Sequence, residues 1–143
     1  MDENKSIPVS LTVVAILFIL SGISAAIEIV VSLLNSRSNP IFGVLQNVIV
    51  GILMILIGIG LLGLSRGWRT CALVINWMAI MGLPILAFLI IAVRAPLNFT
   101  ILGQVLGHPT RGLGLLIVGI EFAVVLWVHH VLTRPDVKEL FQV

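Results

Sequence analysis

The chain has 143 residues, 59% of them hydrophobic and 10% charged, with a formal net charge of +2. A soluble domain carries roughly a quarter charged residues, so this composition, with a mean hydropathy of +1.23, excludes a sizeable soluble domain and indicates an integral membrane protein. The eight Lys and Arg sit at the ends of apolar runs, as bilayer-flanking residues do, and form no nucleic-acid patch. The single Cys71 excludes an internal disulfide and a CxxC-type metal knuckle, and is expected to be a small buried apolar residue.

The first uncharged run covers 22 residues, 6–27, and after Glu28 eight more uncharged residues precede Arg37. The predicted first span is 9–34. Ser24-Ala25-Ala26 has the small residues of a signal-peptide cleavage site, but Asp2, Glu3 and Lys5 make a net acidic start where a signal peptide is basic, so the run is read as a span. Ser21, Ser24, Glu28, Ser32 and Asn35 are spaced 3, 4, 4 and 3 apart, which puts them on one helix face. Lipid does not solvate such a stripe, so other helices or a water-filled cavity are expected to cover it.

Residues 35–40, Asn-Ser-Arg-Ser-Asn-Pro, form a turn cluster, and the second span is predicted at 41–64. Asn47, Gly51, Met54 and Gly58 repeat at 4, 3 and 4, and small residues at that spacing let another backbone approach. Ser21 with Ala25, and Gly22 with Ala26, offer the matching pattern on the first span. The short connection makes the two spans antiparallel neighbours. Ser65-Arg66-Gly67-Trp68-Arg69 reads as a tight basic boundary loop, and the third span follows at 70–93 with Pro84 near its middle. Proline frees the carbonyl of Ile80, which needs a partner within the protein.

From 96 to 106 the apolar residues fall on one broad side of a helix wheel. The segment is too short to span, so a helix lying in the interface plane is expected there. The fourth span is predicted at 112–132, followed by a short amphipathic tail. With four spans, the termini and the Arg66/Arg69 loop share one side. That side holds Lys5, Arg66, Arg69, Arg134 and Lys138, against Arg37, Arg94 and Arg111 on the other, which places both termini in the cytoplasm. The expected fold is an all-α, integral membrane four-helix transmembrane bundle.

The polar candidates within the spans are Glu28, Glu121, Asn47, Asn76 and Arg111. Glu28 and Asn47 lie at matching depth on adjacent helices and are expected to face each other, with Arg111 and Arg94 long enough to reach toward Glu28. Two readings stand for that group: an outward vestibule for a cation or polar headgroup, or an interhelical hydrogen-bond clasp. Glu121 sits almost at the centre of the fourth span, with Gly114, Val118, Val125 and Val128 on its face. It is either a proton-coupling carboxylate or a structural donor to the Ile80 carbonyl. His129 and His130 point about 100° apart, so at most one faces inward and no metal is expected to be held there. The three tryptophans, Trp68, Trp77 and Trp127, are read as interface anchors. The helix-packing candidates are Ser21, Ser24, Ala25, Gly51, Gly58, Gly119 and Ala123.

Two stretches, 61–69 (Leu-Leu-Gly-Leu-Ser-Arg-Gly-Trp-Arg) and 132–141 (Leu-Thr-Arg-Pro-Asp-Val-Lys-Glu-Leu-Phe), resemble a broad set of small bacterial four-span membrane proteins of unknown function. In those, a second span ends in a Leu/Arg/Trp/Arg boundary and the chain closes on a Pro-x-Val-Lys-x-x-Phe-like tail. Gly67 interrupts the basic run here, and Thr70-Cys71 replaces more typical small apolar residues. The resemblance implies a bacterial inner-membrane setting and no activity. The expected function is non-enzymatic: an accessory or structural subunit acting through helix–helix contacts, as a homo-oligomer or within a larger membrane complex, without cofactor and without nucleic acid. The alternative is a small oligomeric proton-coupled transporter or channel using Glu121 and Glu28.

Overall fold

A computed structural model describes residues 7–34, 41–92, 99–101, 104–106 and 110–141. Each long apolar run forms one helix, in which internal backbone groups are satisfied within the segment itself. The helices are α1 (Val9–Leu34), α2 (Ile41–Leu62), α3 (Arg66–Ala92), α4 (Arg111–Thr133) and the short α5 (Pro135–Leu140). Four of them, α1 to α4, are long and apolar enough to cross a membrane.

The ends of these helices have identifiable causes. Pro8 precedes α1, and its carbonyl accepts from the Leu11 and Thr12 amides at 3.0 and 3.1 Å. Thr110 caps α4, its hydroxyl accepting from the Leu113 amide at 3.4 Å. At the end of α2, the Ser65 amide donates to Gly60 O (3.0 Å) and the Leu64 amide to Leu61 O (3.1 Å), with Leu64 at φ 52°. This is a Schellman termination with leucine in the left-handed position usually given to glycine. The backbone cost is roughly 1–2 kcal/mol, and the Leu64 side chain offsets it by packing on the core. Because that motif turns the chain at once, α3 begins at Arg66 rather than at 70. The expected basic loop is therefore largely the first turn of α3.

The expected interfacial helix at 96–106 is overturned. Phe99–Ile101 (β1) and Gln104–Leu106 (β2) pair antiparallel, with Phe99 opposite Leu106, Thr100 opposite Val105 and Ile101 opposite Gln104. Aromatic and β-branched residues at 99, 100, 101 and 105 favour strand, and an isolated helix of about 11 residues is marginal. The remaining parts of that segment, with Arg94 and His108, lie outside the described residues.

Packing is organised in two antiparallel pairs. Helix α1 packs most extensively on α2, and α3 on α4, while α2–α3 and α1–α4 contacts are sparser. The α1–α2 contact uses the predicted small residues. A Cβ on Gly22 would lie 2.6 Å from Gly51 O, and one on Gly58 would lie 2.7 Å from Ala15 O. Ala25 sits against Gly51. Ser24 is half-buried in α1. The core itself lies at one end of the helices. Leu11, Val14, Ala15 and Phe18 of α1 meet Ile57 and Leu61 of α2, Ala72 of α3, Val128, Val131 and Leu132 of α4, and Val137 and Phe141 of the C-terminal segment.

Two arginines fasten that segment. Arg66 Nε donates to Phe141 O at 2.9 Å. Arg69 donates from Nε and Nη2 to Leu132 O at 3.1 and 2.9 Å, and its guanidinium lies 5.8 Å from the Phe141 ring centroid. The Leu132 carbonyl is among the last of α4, where helical partners run out, so the guanidinium supplies them. Arg69→Gln is expected to destabilise the protein by about 2 kcal/mol, the scale of a hydrogen bond to a charged group. Faster proteolysis at the α4–α5 junction would register the loss, and unchanged protection would show that Val137 and Phe141 hold the segment alone.

Candidate functional site

Glu121 is next to the midpoint of α4 (Arg111–Thr133), and Ser21 lies in the middle of α1. The two line one groove of about 510 Å³, together with Ala79, Gly82 and Leu83 of α3 and Ile120, Val124 and Val125 of α4. Successive 100° steps put Glu121 on the same side of α4 as the buried Gly114, Val118 and Val128. Glu121 is exposed, because α1 and α4 touch only sparsely and leave the groove open at this level. No hydrogen bond or ion pair joins Glu121 to any described residue. The Ile80 carbonyl therefore does not take its proton, and Pro84 lies within the continuous α3.

The other sequence candidates stand apart from the groove. Glu28 is half-buried and Asn47 exposed, and no hydrogen bond joins them, although α1 and α2 are antiparallel neighbours as expected. Arg111 is exposed at the start of α4 and makes no ion pair with Glu28. Arg134 forms an ion pair with Asp136 at 3.0 Å. Ser21 belongs to the groove rather than to the α1–α2 contact. Gly119 and Ala123 are exposed, and a Cβ on Gly119 would meet nothing within 4 Å. They lie on the outer side of α4, far round the helix from Glu121.

Asn76 is 5% exposed and its Nδ2 has no partner, as has the buried Nδ1 of His129. His129 lies edge-on to Trp77, with ring centroids 5.3 Å apart, while His130 is exposed, so one histidine of the pair faces inward as expected. Trp77 and Trp127 are exposed, but Trp68 packs on the core against Gly60 rather than outward. Cys71 is exposed, not buried, because it lies on the outer side of α3. Among the described residues no group of three or more His, Cys, Asp or Glu is placed to hold a metal ion.

The juxtaposition of Ser21 and Glu121 was missed in the sequence. Their shared position at mid-helix was the available signal, since antiparallel helices of similar length bring their midpoints level. Comparison with known proteins adds nothing to this geometry: no family model, no curated protein and no solved structure matches the chain.

Proposed function

We propose that this is a multi-pass, non-enzymatic membrane protein in which α1 to α4 cross the bilayer as a four-helix bundle. Both termini and the α2–α3 turn lie on the cytoplasmic side, and the resemblance of 61–69 and 132–141 suggests a bacterial inner membrane. It acts as an accessory subunit, presenting the Glu121 groove to a helix of a larger membrane complex or of a second copy. One observation carries this reading: the carboxylate at mid-span has no donor within the described chain, in an open groove floored by Gly82. A carboxylate at that depth costs several kcal/mol unless something supplies a hydrogen bond or a countercharge. A partner helix bearing a hydroxyl, amide or basic side chain does both.

A photoreactive residue at Val124, on the groove, is expected to give one adduct of discrete mass in native membranes. The same residue at Ile52, an exposed position on α2, is expected to give lipid adducts only, and Glu121→Gln to weaken the Val124 adduct severalfold. Equal labelling at both positions would remove the subunit reading. Extraction by alkaline carbonate would remove the membrane reading altogether.

The alternative, a small oligomeric proton-coupled transporter or channel, is favoured by a different feature, the sharing of the groove by Ser21 and Glu121. Purified protein in liposomes would then take up or release protons on addition of a substrate, and Glu121→Gln would abolish the signal. Glu28 does not line this groove, so the two-carboxylate form of that reading loses its second member.

A further inference from the structure

A second, separate feature lies at the end of the molecule where the core is. Arg66, Arg69, Lys138 and Phe141 line an open cleft of about 370 Å³, within the roughly 300–1,000 Å³ range of small-ligand sites. Among the described residues that line it, none is acidic. Asp136 is held by Arg134 instead, with Nε and Nη2 of Arg134 at 3.1 and 3.0 Å from its two carboxylate oxygens. The hydrogen bonds that dock the C-terminal segment also fix the cations. Arg69 spends Nε and Nη2 on Leu132 O, which holds its guanidinium plane at the cleft and leaves Nη1 for a ligand. Lys138 reaches the same cleft from α5 with an exposed side chain. The cleft is also at the start of α3, where the helix dipole adds to the positive potential.

We infer that this cleft binds the phosphate of an anionic phospholipid headgroup. A guanidinium N–H and a nearby ammonium both donate charge-assisted hydrogen bonds to phosphate oxygens. The lipid source follows from what adjoins the cleft. From Arg66, spacings of 4, 4, 3 and 4 lead along one face of α3 through Thr70 to Val74, Trp77 and Met81, and those three are 55%, 52% and 64% exposed. An acyl chain lying on that apolar strip puts its headgroup at the cleft. Basic pockets at the cytoplasmic ends of spans serve this purpose in membrane proteins generally. The inference rests on the membrane reading, which carbonate extraction tests by itself, but not on the subunit reading or on Glu121.

The test titrates chain-matched phosphatidylglycerol and phosphatidylcholine into the detergent-purified full chain and follows bound lipid by native mass spectrometry. Phosphatidylglycerol is expected to bind at least fivefold more tightly. Lys138→Gln should weaken it about fivefold, the factor that one juxtamembrane cation carries, and Lys138→Arg should restore it. Arg111→Gln removes the same charge at the far end of α4 and should change nothing. Equal binding of the two lipids, no loss in Lys138→Gln, or equal loss in Arg111→Gln would overturn the proposal. Inorganic phosphate displacing phosphatidylglycerol at equal concentration would identify a soluble anion as the ligand and overturn the lipid source.

Discussion

Gly58→Leu is expected to separate α1 from α2 and lower the midpoint of thermal unfolding by roughly 10 °C, the shift that a loss of about 3 kcal/mol produces in a chain of this size. A Cβ at Gly58 meets the Ala15 carbonyl oxygen at 2.7 Å, and backbone does not yield as a side chain does. The helices must move apart along their whole contact, which opens the core around Ala15, Ile57 and Leu61. Gly22→Leu should do the same, because its Cβ meets Gly51 O at 2.6 Å. Gly119→Ala supplies the contrast. That glycine has nothing within 4 Å, and alanine is the better helix former, so the purified protein should be unchanged or slightly more stable. A Gly58→Leu protein with wild-type stability would mean that the α1–α2 crossing is not formed as described.

This crossing was legible in the sequence, and the reason is geometric. Gly51 and Gly58 recur at one helix face, Ser21 with Ala25 and Gly22 with Ala26 offer small residues on the neighbour, and a short connection forces the two to pair. Of these, Gly22 and Ala25 meet Gly51, while Ala15, which Gly58 meets, carried no such signal. The four long helices were legible for a still simpler reason, since uncharged runs of more than 20 residues have few other structures open to them. Short segments carried no such constraint. At 96–106 the apolar positions suit a helix wheel, yet the same residues pair as strands, and hydrophobic periodicity does not separate the two at this length. Arg66 and Arg69 were read as residues of a basic boundary loop because charge commonly marks a boundary. Their guanidinium groups instead turn back onto the carbonyls of Phe141 and Leu132, a contact 75 and 63 residues distant in the chain. Glu121 shows where the limit lies. Its helix face follows from the 100° step, but whether a neighbour closes over it depends on the distance between α1 and α4, which no local pattern encodes.

Glu121→Leu is expected to stabilise the isolated protein and disable it at the same time. On the insertion scale a carboxylate at the centre of a span costs roughly 3 kcal/mol, while leucine is slightly favourable there. If α4 crosses the bilayer as proposed, the wild-type chain carries this cost, because nothing described within it satisfies the group. Removing the carboxylate should therefore raise the unfolding midpoint of the purified chain by roughly 10 °C. Glu121→Gln keeps the shape and a hydrogen-bonding capacity, so its gain should be smaller. If a partner helix supplies the missing donor in the membrane, the same leucine variant should lose the Val124 photo-adduct, trading function for stability as residues held under strain at working sites do. The opposite sign is the informative failure. A less stable Glu121→Leu protein would mean that the carboxylate is already bonded within the chain, with α1 closing over the groove to bring Ser21 to it. The unmatched charge would then be no reason to invoke a partner.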